Sequence, residues 1–120
     1  MNILIVDDSQ VARRILKSCI PRADEYDFHE VDDGVAALET FKRIKPDVIF
    51  MDINMPNMGG LECLAAIRKV DPSASVIICS SEANQENIAT AMSLGALAVI
   101  GKPPTREAVQ AVLKKAIGEK

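Results

Sequence analysis

The sequence predicts an α/β protein: a five-stranded parallel sheet covered on both sides by helices, in an open doubly wound arrangement. Three observations carry this expectation. Five strand-sized runs alternate with five segments of helical periodicity. Four of those runs are apolar on both faces, as strands buried from two sides must be. A chain of 120 residues, 48% of them hydrophobic, is large enough for one core and too short for a second module, so residues 1–120 are expected to form a single domain. Right-handed crossovers then distribute the helices over the two faces.

The first strand is Ile3–Val6, ending on Asp7 and Asp8. Ser9 caps a helix whose apolar residues Val11, Ala12, Ile15, Leu16, Cys19 and Ile20 recur at helical spacing until Pro21. Tyr26 to Val31 alternates, with Tyr26 and Phe28 opposite Asp27 and His29, and so belongs at a sheet edge. Asp32, Asp33 and Gly34 turn into a second helix carrying Val35, Leu38, Phe41 and Ile44, closed by Pro46.

Val48–Met51 is a strand with no polar face, ending on Asp52; Pro56, Gly59 and Gly60 prevent its continuation. Leu61, Leu64 and Ile67 mark a third helix, stopped at Asp71 and Pro72. Val76–Cys79 is the next buried strand and runs into Ser80, Ser81 and Glu82. A fourth helix, from about Asn84 to Leu94, shows Ile88, Ala91 and Met92 on one face and stops at Gly95. Ala96–Ile100 is the fifth strand, followed by Lys102 and Pro103. Thr105 caps a last helix with Ala108, Val109, Val112, Leu113, Ala116 and Ile117 inward and Lys114, Lys115 and Lys120 at its wet face and end.

Composition narrows the function. With 14 Lys+Arg against 17 Asp+Glu and no basic run, the chain has no footprint for nucleic acid or an anionic membrane. No apolar run is long enough to span a bilayer, and the first residues lack a basic leader. Cys19, Cys63 and Cys79 are widely spaced inside apolar patterns, which reads as buried reduced thiols and a cytoplasmic protein. A monomer is expected.

Parallel doubly wound sheets bind ligands outside the carboxyl ends of their strands. Those ends carry Asp7, Asp8, Asp52, Ser80 and Lys102. Singly, Asp8 or Ser80 reads as a helix cap and Lys102 as a surface lysine; jointly they put three carboxylates, a hydroxyl and an ammonium on one rim. Two carboxylates about 4 Å apart repel by roughly 4 kcal/mol at an effective dielectric near 20. Such a cluster recruits a cation or shifts its pKa values. Oxygen ligands without His or Cys suit Mg2+. A carboxylate is also a nucleophile towards phosphorus, and Lys102, Ser80 and the ion would offset charge on a transferring phosphoryl group.

Asp7 and Asp8, then Asp52, Asn54 and Pro56 with Gly59 and Gly60, then Ser80 with Glu82 and Ala83, then Lys102 and Pro103, together resemble the response-regulator receiver domain over the entire chain. The resemblance implies a flavodoxin-like strand order 2-1-3-4-5 and Asp52 as phosphoacceptor. It implies Mg2+ held by Asp8, Asp52 and the Asn54 backbone carbonyl, with Asp7 acting through water. It further implies Ser80 as the switch hydroxyl, Lys102 as the phosphoryl contact, and a cis bond before Pro103. The implied donor is a sensor histidine kinase, and the implied output is a target protein on the face formed by helix four, strand five and helix five. Such a receiver is a switch that catalyses only its own phosphorylation and dephosphorylation.

Asn54, Glu82 and the segment from Glu86 to Ile88 are similar to stand-alone chemotaxis receivers of the CheY type; an intermediate of a phosphorelay is the alternative. Val99 departs from the family, standing where such receivers carry a Tyr or Phe that swings inward, so Ser80 and the loop after it are expected to carry the signal.

An aspartate-nucleophile phosphatase would want a second acid where Asn54 stands. A flavodoxin-like cofactor carrier would want a Gly-rich phosphate loop after strand one and more aromatics than the 3% present. His29 reads as a solvated strand residue, and Met55 and Met58 as packing groups or partner contacts.

Overall fold

Strands apolar on both faces dictate the layering seen in the computed structural model, which describes residues 1–118. Lys120 lies outside the described residues. The chain forms β1 (Asn2–Val6), α1 (Gln10–Ser18), β2 (Asp27–Val31), α2 (Gly34–Ile44), β3 (Val48–Met51), α3 (Gly60–Val70), β4 (Val76–Ser80), α4 (Gln85–Ser93), β5 (Ala98–Gly101) and α5 (Arg106–Ala116). A single 3-10 turn, Ala23–Glu25, precedes β2.

All neighbouring strands pair parallel, in the order β2-β1-β3-β4-β5, as expected of the flavodoxin-like class. Side chains of successive strand residues point to opposite faces, and both faces are covered. Leu4, Val6, Ile49, Met51, Val76 and Ile78 pack with Phe41 of α2, Leu64 and Ile67 of α3 and Ala91 of α4. Ile3, Ile5, Val48, Phe50, Ile77 and Cys79 pack with Leu16 of α1 and Val109 and Leu113 of α5. Each Val, Leu, Ile, Phe or Met side chain among these, taken from water, contributes about 1.5–3 kcal/mol. β3, like β4, is buried at every residue and so is a firmly constrained support.

The N-caps bear out their residue types: Ser9 accepts from Ala12 N, and Thr105 from Ala108 N. Asp33 caps α2 and Asn84 caps α4 in the same way. All three cysteines are free and buried, and burial pushes the Cys63 and Cys79 thiols up to about 11. Among the described residues no helix is long and apolar enough to cross a membrane.

Helical periodicity overstates several faces. Val11 and Ile15 of α1 are 62% and 41% exposed, because α1 buries Leu16 and, beyond its last turn, Cys19 and Ile20, while its first turns stand clear of the sheet. Val35 at the start of α2 is exposed too, and Ile88 and Met92 leave Ala91 as the one fully buried residue of α4. β5 is the far edge strand, with only Ile100 fully buried, so it differs from the strands expected to be covered on both sides. His29 is half-buried, not freely solvated, and shares a hydrogen bond of 3.1 Å with Asn2 Oδ1.

Candidate functional site

The sheet places its polar strand ends side by side. Val6 pairs with Met51, Met51 with Ile78, and Ser80 with Gly101, so the residues that follow share one rim. The ladder runs one step beyond the strands. Asp7 N donates to Val31 O at 3.1 Å, Asp52 N to Val6 O at 3.0 Å and Lys102 N to Ser80 O at 3.1 Å. Backbone hydrogen bonds therefore fix the Cα positions from which Asp7, Asp52 and Lys102 depart.

The loop after β3 turns sharply under Asp52. Gly60 N donates to Ile53 O at 2.7 Å, and a Cβ on Gly60 would lie 1.8 Å from the Asp52 carbonyl oxygen. Only a glycine permits that approach. The loop is also tied to α2: Asn57 Nδ2 donates to Asp33 Oδ2 at 2.9 Å, and Gly34 N to Met58 O at 3.2 Å. Met55 and Met58, half-buried, pack against the core on that face.

Ligand oxygens of Asp7, Asp8 and Asp52 lie within 4.8 Å of one another, Asp7 buried, Asp52 half-buried and Asp8 exposed. Lys102 Nζ hydrogen-bonds to Asp7 Oδ2 and stands 3.2 Å from Asp52 Oδ2. Burial raises the Asp52 pKa above the ordinary carboxylate value and the Asp7 charge adds to it, against the opposing pull of Lys102 and the Ile53 amide. Burial alone would lower the Lys102 ammonium, but the Asp7 hydrogen bond and the two carboxylate charges hold it above its usual value. One ammonium thus faces two of the three acids, and negative charge is left over.

The donor set is entirely oxygen, with one exposed and two more sheltered carboxylates. It fits a hard divalent cation such as Mg2+, which accepts one or two carboxylates and keeps waters.

Ser80 is fully buried on the same rim; its Oγ accepts from Glu82 N at 3.0 Å. The Asn54 side chain donates to Glu82 Oε1, while the Glu82 carbonyl accepts from Asn87 Nδ2 at 2.8 Å. The Lys102–Pro103 bond is cis. Val99 is half-buried against the core at the expected position of the missing ring. His29 pairs with Leu4 in the middle of the β1–β2 ladder, below the acidic rim.

One group escaped sequence reasoning. Arg13 of α1 reaches both Asp7 O and, at 2.9 Å, Glu30 Oε1 of β2. Its only sequence signal was a cation one turn into a helix that follows two acids. Beside Asp52 an apolar cleft of about 290 Å³ opens between α1 and the β5–α5 loop, lined in part by Ala12, Ile15, Phe50, Pro103 and Pro104.

Fold and rim together define a doubly wound α/β domain organised around an aspartate, its acidic neighbours and one lysine. The chain belongs to the response regulator receiver domain family, whose model matches residues 3–114. Domains of this family are phosphoacceptor switches of two-component signal transduction.

Among curated relatives, chemotaxis protein CheY of Listeria monocytogenes is 38% identical over 97% of this chain and 98% of its own length. CheY of Thermotoga maritima is 40% identical over 93% and 97%. Among solved structures, the CheX-CheY-BeF3-Mg+2 complex from Borrelia burgdorferi matches with a TM-score of 0.87 and 29% identity, covering 96% of this chain and 87% of that one.

Proposed function

We propose that residues 1–120 act as one receiver domain in which Asp52 accepts a phosphoryl group from a phosphohistidine of a sensor kinase. An Asp52 carboxylate oxygen attacks phosphorus as the bond from phosphorus to the imidazole nitrogen breaks, its electron pair leaving with the ring. Lys102, 3.2 Å from Asp52, would offset charge on the transferring group, and the Ser80 hydroxyl on the same rim would donate a hydrogen bond to it afterwards. Asp7, Asp8, Asp52 and the Asn54 backbone carbonyl would hold Mg2+, which when bound neutralises phosphoryl oxygens. The observation that carries this reading is the convergence of three carboxylates and Lys102 at the end of a fully buried strand.

The exposed Val11 and Ile15 beside the apolar cleft suit apolar side chains of a docking phosphodonor. Exposed Ile88 and Met92 on α4 support an output surface on α4, β5 and α5. The likeness to CheY proteins supports control of a chemotaxis partner over a role as phosphorelay intermediate. A cytoplasmic location agrees with three buried thiols free of any disulfide.

Incubation with acetyl phosphate and Mg2+, followed by intact mass, tests the assignment. The native chain gains one phosphoryl group and Asp52→Asn does not; equal gain by both removes Asp52 from its role.

A further inference from the structure

The acidic loop after β1 is braced from behind. Arg13 sits one turn into α1, its own N–H donating to Ser9 O at 3.1 Å. Its guanidinium forks: one terminal nitrogen donates to the Asp7 carbonyl, and Nε donates to Glu30 Oε1 at 2.9 Å. Glu30 in turn accepts from Lys17 Nζ at 3.0 Å through its other oxygen. The Arg13 side chain is only 15% exposed, so water competes poorly for these bonds.

Asp7 C=O and Asp8 N–H belong to one rigid peptide plane. Pinning that oxygen sets the plane from which Asp8 departs, while Val31 O and Ser9 N hold the Asp7 amide and carboxylate. Asp7 is therefore held on every side, and Asp8, exposed and with no hydrogen bond of its own among the described residues, takes its direction from that plane.

We propose that Arg13, oriented by Glu30, is a positioning residue for the divalent-cation site, fixing the Asp7–Asp8 peptide so that the Asp8 carboxylate faces Asp52. This rests on the reading of the acids as a Mg2+ site. Arg13 touches neither the ion nor the phosphoryl group; it acts through the backbone.

Geometry and charge make opposite predictions here. A guanidinium near a dication repels it, so a purely electrostatic role means that removing Arg13 tightens Mg2+ binding. A bracing role means that removal weakens it, and outer-shell partners of this kind are worth about 10–100-fold in metal affinity.

The test is calorimetric titration of Mg2+ into the folded native chain, Arg13→Met, Arg13→Lys and Lys17→Ala. Arg13→Met is expected to bind at least about tenfold more weakly. Arg13→Lys, whose single ammonium cannot span both acceptors, is expected to bind more weakly than the native chain, by no more than Arg13→Met does. Lys17→Ala, which pairs with Glu30 without reaching Asp7, stays at the native value. Phosphorylation by acetyl phosphate should then need more Mg2+ in Arg13→Met yet reach nearly the native rate at saturation.

Native or tighter binding by Arg13→Met, or native binding by Arg13→Lys, overturns the proposal. No Mg2+ uptake by the native chain would instead bring down the underlying reading of the acids.

Discussion

Lys102 Nζ stands 3.2 Å from Asp52 Oδ2 while bonded to Asp7 Oδ2, so one ammonium occupies the ground between two carboxylates that a dication would also claim. On the proposed reading, lysine and ion would compete for the same negative charge before both act on a phosphoryl group. Replacing Lys102 with Met should tighten Mg2+ binding, by about fivefold for a gain near 1 kcal/mol. It should also slow phosphorylation by acetyl phosphate by at least about tenfold, because transition-state charge loses a partner. Titration calorimetry and intact mass read the two effects separately; slower transfer with weaker ion binding would contradict the competition.

Asp52 costs stability in its ionised form. Its pKa is raised by burial, so the folded chain binds the proton more readily than the unfolded chain. Stability therefore falls as pH climbs from the unfolded carboxylate value through the higher folded one. Asp52→Asn should raise the urea midpoint at pH 7 without Mg2+, and that advantage should vanish near pH 3, where the native carboxyl is protonated as well. Glu30 has the opposite sign: although burial works against it, the bonds from Lys17 and Arg13 hold its pKa low, so its contribution is lost as pH falls. An Asp52→Asn chain no more stable than native at pH 7 would show that Lys102 already outweighs the desolvation.

Gly60 is required by contact. A methyl group there would meet the Asp52 carbonyl oxygen at 1.8 Å, and backbone has nowhere to yield without moving the acid. Gly60→Ala should cost about 2–3 kcal/mol in urea unfolding and reduce phosphorylation with it. Gly101→Ala is the internal control, since nothing lies within 4 Å of its added Cβ, and it should stay within about 0.5 kcal/mol of native.

Signal propagation should start at Ser80. Its Oγ now accepts from Glu82 N, and Glu82 is tied onward to Asn54 and to Asn87 in α4. A hydroxyl drawn to a phosphoryl oxygen would release the Glu82 amide, and the disturbance would then reach the first turn of α4 without an aromatic at position 99. Phosphorylation should shift the Ser81–Glu86 amide resonances, and Ser80→Ala should weaken that response while costing about 1 kcal/mol for the lost acceptor. Unmoved amides in the native chain would rule the route out.

Much of this architecture was legible beforehand because it rests on local patterns. Val48–Met51 is bounded by Asp47, Asp52 and Pro56, and the strand has those limits. Ser9 and Thr105 announce caps by residue type alone. The rim followed from topology: once the strands were parallel, Asp7, Asp52, Ser80 and Lys102 had to meet at their carboxyl ends.

What stayed hidden depends on how far a neighbour reaches. Val11, Ile15, Ile88 and Met92 satisfy helical spacing, but spacing gives the direction of a face and not the length of it that another element covers. The bond from Arg13 to Glu30 joins residues 17 apart on a helix and an edge strand, and no periodicity links them until β2 lies beside β1. The need for glycine at position 60 was likewise visible only as a turn signal, since the oxygen it must avoid is eight residues away.

Ala91 is the sole side chain of α4 that the core fully encloses. Substitutions elsewhere along that helix can therefore accumulate at small thermodynamic penalty, and if α4 carries the output surface, a lineage could exchange one downstream client for another while the acid-bearing edge, set on β1 and β3, is inherited unaltered.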